Sequence, residues 1–126
     1  MISHLDHLVL TVADIPRTVA FYTTVLGMRQ VTFGEGRTAL AFGNQKINLH
    51  QHRRELEPKA QHPTPGSADL CFIASIPLED VIARLHQHSI PILLGPVGRT
   101  GATGPIRSIY LRDPDSNLIE VSNYIG

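Results

Sequence analysis

The sequence predicts an α+β protein made of two βαβββ modules, whose curved mixed sheets form an open barrel-like cleft. The length of 126 residues suits one ordinary domain with a core of its own. Each half of the chain shows the order strand, helix, three strands, and polar residues recur at matching positions in the two halves. We therefore expect a single domain over residues 1–126, with module one at 1–52, a linker at 53–66 and module two at 67–126.

Module one opens with a strand over residues 5–12, a segment rich in branched apolar residues. Strand alternation places His7 on the face opposite to Leu8, Leu10 and Val12. Asp14 is a favourable N-cap and Pro16 suits a first helical turn, so the sequence predicts a helix that ends at Gly27. Three further strands are predicted over residues 28–33, 38–42 and 46–51.

Module two repeats this order after a polar segment, residues 52–67, that contains three prolines. A strand is predicted over residues 68–73, and Ser75 takes the capping position that Asp14 has in module one. Residues 95–105 are too rich in glycine and proline for regular structure, which predicts a mobile flap at the mouth of the binding site. The remaining strands are predicted over residues 90–94, 107–112 and 118–123.

The last strand carries Glu120, around which the candidate site is organised. Residues 113–117 are Asp-Pro-Asp-Ser-Asn, a run of turn formers that predicts a tight reversal just before this strand. Ile119 and Val121 share one strand face, so Glu120 lies on the other. A carboxylate in the middle of an apolar strand is costly to bury without a partner, which indicates either a solvated face or an ionic site.

Composition narrows the classes of partner. Lys and Arg balance Asp and Glu at 11 each, and no basic run is present that would neutralise phosphates along a duplex, so no nucleic acid partner is expected. No apolar run approaches the roughly 20 residues that span a bilayer, and the N-terminus lacks a signal-peptide pattern. We expect a soluble, cytoplasmic protein without a membrane partner, in which the single cysteine, Cys71, is a small buried thiol rather than a nucleophile.

The repeat indicates which positions of the two halves are equivalent. His7 aligns with Asp69, and Asn48 aligns with Glu120. If the two sheets curve into one open barrel, the histidine and the two carboxylates converge on its interior, together with either His50 or Asn48. Imidazole and carboxylate groups suit a divalent cation, and such an ion would offset the cost of burying Glu120.

The whole chain resembles the vicinal oxygen chelate superfamily, which includes glyoxalase I, fosfomycin-resistance proteins, bleomycin-binding proteins and type I extradiol dioxygenases. It is also similar to glyoxalase-domain-containing proteins, some labelled virulence-associated, through residues 42–50 and 98–102. The resemblance to the superfamily rests on the paired modules and on three motifs, which are Leu-Asp-His-Leu-Val-Leu around His7, Phe21-Tyr22 leading to Leu26-Gly27-Met28, and the segment from Asp113 to Glu120.

In that superfamily the metal ligands come from the first and last strands of each module. The resemblance implies His7 and Glu120 as ligands, and Asp69 at a position where relatives often have His. His50 is a further implied ligand, although the usual acidic ligand of that strand aligns with Asn48, two residues earlier. Zinc, nickel, manganese or iron is the divalent cation that the resemblance implies.

Three classes of function follow from the resemblance. The favoured one is a metal-dependent enzyme of lactoylglutathione lyase type, in which the cation stabilises an enediolate or oxyanion of a small substrate and Glu120 moves a proton. The alternatives are an iron-dependent ring-cleaving dioxygenase, which needs two His and one carboxylate, and a metal-free protein that sequesters a drug-like ligand. A homodimer is expected because Val9 and Ile73 would otherwise expose apolar surface, and in dimeric relatives two chains share each site.

Overall fold

Each half of the chain forms its own four-stranded mixed sheet with one helix beside it. The computed structural model describes residues 1–126. These residues form two compact units, residues 1–67 and 68–126. The predicted α+β class with two βαβββ modules is confirmed. In both sheets the first strand runs parallel to the last, and the remaining neighbours are antiparallel.

The elements of module one are β1 (His7–Val12), α1 (Ile15–Thr24), β2 (Arg29–Phe33), β3 (Arg37–Phe42) and β4 (Gln45–Gln51), with sheet order β1-β4-β3-β2. Those of module two are β5 (Asp69–Ile73), α2 (Leu78–Gln87), β6 (Leu94–Thr100), β7 (Pro105–Arg112) and β8 (Leu118–Tyr124), with sheet order β5-β8-β7-β6. Neither helix has the length and apolar character needed to cross a membrane.

One face of each sheet supplies the apolar core of its module, together with the helix. The polar residues of β1, β4, β5 and β8 that the sequence singles out alternate with these core residues, so they lie on the opposite face. We call this opposite face the polar face of each sheet. Buried core residues of module one include Leu10, Val12, Tyr22, Leu40 and Ile47, and those of module two include Leu78, Leu85, Ile109, Leu111 and Ile119.

The last strand of each module provides an acceptor for the start of its helix, which in module one is Gln51 Oε1, accepting from the Ile15 amide at 3.1 Å. In module one the predicted N-cap is confirmed, because the Asp14 carboxylate accepts a hydrogen bond from the Arg17 amide at 3.4 Å. In module two the predicted cap at Ser75 is wrong, because the helix begins after Pro77, which has no side-chain acceptor. Oδ1 of Asn123, in β8, accepts from the Leu78 amide at 2.7 Å instead. Tertiary contact therefore replaces a local cap there.

The segment predicted to be a flap is part of the sheet. β6 covers Leu94–Thr100 and pairs with β7 in antiparallel register. The predicted strand over residues 90–94 and the predicted mobile flap over residues 95–105 are therefore both wrong. Only residues 101–104 form a connection between the two strands.

A bulge and an edge position explain why glycine and proline are tolerated in β6. The register shifts between Leu94 and Val97, so Gly95 and Pro96 bulge out of the ladder. Gly95 has φ of +113°, and a Cβ at this position would collide with the backbone carbonyl of Ser108. β6 is an edge strand. Pro96, which has no N–H, therefore does not remove a hydrogen bond from the middle of the sheet.

The turn before β8 is held by two buried side chains. Asp113 Oδ1 accepts from the backbone amide of Asn117 at 2.9 Å, and Asp113 Oδ2 accepts from Asn117 Nδ2 at 2.8 Å. Asn117 Oδ1 in turn accepts from the Ala68 amide at 2.8 Å, just before β5. The predicted reversal is confirmed, and it ties the start of β5 to the strand that carries Glu120.

Candidate functional site

The two modules place their candidate ligands at equivalent positions. Asn48 in β4 lies two residues beyond the partner of His7 in β1. Glu120 in β8 lies two residues beyond the partner of Asp69 in β5. Each pair is therefore separated by the same diagonal offset on the polar face of its sheet. This register agrees with the equivalence of the two halves that the sequence predicts.

His50 lies farther from His7 than Asn48 does. It is opposite Thr11, four residues along β1 from His7, whereas Asn48 is opposite Val9, only two residues along. At about 3.3 Å per residue, the offset along the strand is roughly 13 Å for His50 and roughly half of that for Asn48. The register alone therefore favours Asn48 as the closer companion of His7.

The His7 ring is held by the carboxylate of the residue before it. Its Nδ1–H donates to Asp6 Oδ2 at 2.7 Å, so Nε2 is the ring nitrogen that this hydrogen bond leaves available. This hydrogen bond is the main reason why the pKa of Asp6 lies below its ordinary value. A carboxylate on the second ring nitrogen is the usual arrangement for histidines that ligate metals. Sequence reasoning missed Asp6, although its position next to His7 was a usable signal.

His50 and Asn48 are both buried on the polar face of module one. Burial lowers the pKa of His50, and the nearby positive charge of Arg37 lowers it further, so the ring is neutral at neutral pH. A neutral imidazole is the form that binds metals. Asn48 is 5% exposed, and its Oδ1 has no hydrogen-bond partner. Such an orphan acceptor fits a cation or a donor group of a ligand.

A chain of hydroxyl groups leads to Glu120 in module two. Ser108 in β7 donates to Glu120 Oε2 at 2.6 Å. A hydroxyl has one hydrogen, so in the 2.6 Å bond between Ser108 and Ser122 the donor is Ser122. By the same argument, in the 3.4 Å contact of the Cys71 thiol with Ser122 the donor is Cys71. The hydrogens of all three groups thus point towards the half-buried carboxylate.

Cys71 is exposed, which contradicts the predicted buried thiol. The reason is strand parity, since Cys71 pairs with Glu120 and so lies on the polar face. Desolvation nevertheless raises the pKa of the thiol, and Glu120 adds to this effect. The thiol stays protonated at neutral pH, in agreement with the prediction that Cys71 is not an activated nucleophile.

A pocket of about 360 Å³ opens beside Glu120. A cation forms part of its wall, because Arg99 in β6 is held there by Tyr110 in β7, whose Oη accepts from Arg99 Nε at 2.9 Å. The sequence did not indicate Arg99 as a pocket residue, because it lay in the supposed flap over residues 95–105. The residues that line the pocket are Cys71, Ile73, Arg99, Thr100, Gly101, Ala102, Ile106, Glu120 and Tyr124.

Asp69 is exposed at the first position of β5. No group of three or more His, Cys, Asp or Glu residues in the single chain could hold a metal ion. The polar faces bring the candidates together in pairs, Asp69 with Glu120 and His7 with Asn48. The complete set of His7, His50, Asp69 and Glu120 stays a prediction.

Sequence comparison decides the family. The model of the Glyoxalase/Bleomycin resistance protein/Dioxygenase superfamily matches residues 4–121. The chain belongs to this superfamily, the vicinal oxygen chelate proteins. This superfamily member is 62% identical over 125 residues to the virulence protein STM3117 of Salmonella typhimurium. The alignment covers 99% of this chain and 87% of that protein. The predicted resemblance to virulence-associated relatives is confirmed.

Two other comparisons extend the likeness. The chain is 58% identical over 120 residues to the glyoxalase domain-containing protein RDO1 of Mycosarcoma maydis, covering 95% of this chain and 68% of RDO1. The crystal structure of STM3117 matches with a TM-score of 0.97 over 99% of both chains. The fold is shared with the fosfomycin resistance protein FosX of Listeria monocytogenes in complex with Mn(II), at 20% identity and a TM-score of 0.69, covering 99% of this chain and 93% of FosX.

Proposed function

We propose that this chain is a metal-dependent enzyme of lactoylglutathione lyase type that acts on a small oxygenated substrate. The observation that carries the proposal is Glu120, a half-buried carboxylate at the wall of a pocket. It is held by the Ser108 hydroxyl and is in no ion pair with Lys, Arg or His. A partly buried charge without a counter-ion favours a bound cation at this place.

The proposed ligands are His7, Asp69 and Glu120, with either His50 or Asn48 completing the set. The bond from His7 to Asp6 supports this choice, since it leaves Nε2 available. The strand register favours Asn48, because Asn48 lies closer to His7 along the sheet. The neutral imidazole favours His50, because it is the better metal ligand of the two side chains. Metal binding occurs elsewhere in the superfamily, as in the Mn(II) complex of Listeria FosX. Zinc, nickel, manganese and iron(II) are the candidates for this chain.

The chemistry divides between the cation and the side chains. A bound divalent cation supplies polarisation of two neighbouring oxygens of the substrate. Glu120 would take a proton from the carbon beside the polarised carbonyl and return it to the adjacent carbon, an isomerisation without net oxidation or reduction. Ser108 would orient the carboxylate for both transfers, because its hydroxyl is bonded to one oxygen only.

We further propose that the enzyme is a homodimer. Val9 in β1 is 45% exposed and Ile73 in β5 is 51% exposed, and both strands lie at the edges of their sheets. Exposed apolar side chains on edge strands are favourable contacts for a second copy. Analytical ultracentrifugation at micromolar concentration should give a dimer, and a monomer at that concentration would argue against it.

A metal-free ligand-binding protein is the second candidate. It is favoured by the pocket of module two, in which Ile73, Ile106 and Tyr124 offer apolar and aromatic contacts. A ring-cleaving iron dioxygenase ranks below both, because it needs two histidine ligands and the register sets His50 four residues along from His7. Metal titration separates the first two candidates.

The test is titration of chelator-stripped protein with zinc, nickel, manganese and iron(II), followed by calorimetry. Wild type should bind one of these ions, and Glu120→Gln should bind it at least about tenfold more weakly, because the amide is not an anionic ligand. The matched control is Glu79→Gln, since Glu79 pairs with Arg107 away from the pocket. Equal binding by wild type and Glu120→Gln would remove Glu120 from the site, and no binding by wild type would favour the metal-free candidate.

A further inference from the structure

Two cations contact one aromatic ring in module one. Lys46 Nζ lies 3.7 Å from the centroid of the Phe33 ring, and Arg37 Cζ lies 4.8 Å from the same centroid. Phe33 pairs with Arg37 across β2 and β3, and Lys46 lies two residues before Asn48 on β4. All of them are on the polar face of this sheet. The ring therefore holds two positive charges close together on the same face as the orphan amide of Asn48.

Neither cation has an anionic partner. The ion pairs of the chain involve other residues, and the contacts of Arg37 and Lys46 are those with the ring. Lys46 acts on the Asp6 carboxylate only through its charge, which helps to lower the pKa of Asp6, and that carboxylate already accepts a hydrogen bond from His7. Two like charges held together repel each other, and an anion placed between them reverses the sign of that interaction.

Asn48 provides an independent indication that a ligand binds on this face. Its side chain is 5% exposed, and its Oδ1 lacks any hydrogen-bond partner. Buried polar atoms are rarely left in this state, and a hydroxyl or amide hydrogen of a ligand would satisfy it. The polar face of this sheet thus offers positive charge for an anionic group and an acceptor for a donor group.

We propose that Arg37, Lys46 and Phe33 bind the anionic end of a small organic acid, through its carboxylate or phosphate group. Arg37 and Lys46 donate charge-assisted hydrogen bonds to the anionic oxygens, and the Phe33 ring keeps the two cations in place. As a statement about substrate class, the proposal rests on the proposed function. As a statement about anion binding, it holds for the metal-free protein and is tested there.

The experiment uses the full chain, stripped of metal with chelator and kept at low ionic strength. Succinate, inorganic phosphate and the uncharged control succinamide are titrated separately, and binding is followed by calorimetry. Wild type should bind at least one anion and should not bind succinamide. Preference for succinate identifies a carboxylate group, and preference for phosphate identifies a phosphoryl group. Affinity should fall as sodium chloride is added, because the contacts are ionic.

Variants locate the site. Arg37→Met and Lys46→Met keep an apolar stem and should each weaken anion binding at least about tenfold, since each removes a charge-assisted bond. Arg37→Lys, which retains the charge, should keep most of the affinity. Arg54→Met removes an equal charge from an exposed loop position and should leave affinity unchanged. Melting temperatures confirm that each variant is folded.

Two outcomes overturn the proposal, namely no anion binding by wild type, or equal binding by wild type and the Arg37→Met/Lys46→Met double variant. Either outcome is distinguishable from failure of the proposed function, because the metal titration is a separate measurement. A protein that binds metal through Glu120 but no anion through Arg37 is still the proposed enzyme, with a different substrate class.

Discussion

Ser108 donates its hydroxyl hydrogen to Oε2 of Glu120 at 2.6 Å, from the strand next to the one that carries the carboxylate. Ser108 is fully buried, and Ser122 and Cys71 stand behind it as successive donors. The relay gives Glu120 a defined orientation without giving it a counter-ion. This arrangement agrees with the proposed role of Glu120 as a metal ligand.

Ser108→Ala should weaken metal binding by roughly 10–100-fold, the effect typical of losing a group that orients a ligand. The free energy of unfolding of the metal-free protein should fall by about 1–3 kcal/mol, because the hydrogen bonds of Ser108 to Glu120 and Ser122 are both lost. Calorimetric titration and urea unfolding measure the two effects. Ser67→Ala, at an exposed site in the polar segment, is the control. Unchanged metal affinity in Ser108→Ala would mean that the hydroxyl has only a structural role.

A mixture of two inactive variants tests whether two chains share each metal site. His7→Ala and Glu120→Gln should each bind metal poorly alone. If the proposed site takes His7 from one chain and Glu120 from its partner, a refolded mixture contains heterodimers with one intact site. By calorimetry, the mixture should then show up to about a quarter of the wild-type binding capacity. Random pairing makes about half of the dimers mixed, and each mixed dimer has one intact site out of two. If each site lies within a single chain, the mixture should bind no better than the separate variants.

Acid should destabilise the metal-free protein through His50. Burial holds the pKa of this ring below its ordinary value of about 6.5, so the unfolded chain takes up the proton first as pH falls. Stability contributed by the neutral ring is present above about pH 6.5 and is lost as pH falls towards the lower pKa of the folded state. Urea unfolding between pH 7.5 and about 5 should therefore show a steeper fall for wild type than for His50→Gln. Parallel curves would show that His50 does not contribute to this pH dependence.

Asn123→Ala should lower the free energy of unfolding by about 1 kcal/mol, because the first amide of α2 loses its acceptor. Metal affinity should stay at the wild-type level, since Asn123 lies on the helix side of β8. Thermal melting and the metal titration provide the two readings. The control is Gln61→Ala, an exposed position between the modules. A loss of metal binding with unchanged stability would contradict the assigned role.

Strand parity made much of the candidate site predictable. The alternation around His7 and around Glu120 decides which face each side chain occupies, and parity is a local property of any strand. The repeat also made the pairs of candidate ligands predictable. Because the spacing is equal in both halves, His7 and Asp69 have the same position relative to the last strand of their module. The turn at Asp113 was predictable for a similar reason, because Asp and Asn bond to their own backbone.

The sequence by itself determined the modules, the faces of their strands and the superfamily, because these depend on periodicity and on motifs that are local in the chain. Only the tertiary structure decided that residues 94–100 form an edge strand, since pairing with β7 outweighs the weak strand propensity of glycine and proline. It also decided the cap that Asn123 gives to α2 and the hydroxyl that Ser108 gives to Glu120. These partners are 45 and 12 residues apart in the chain, so their contacts depend on strand register, which no local pattern specifies.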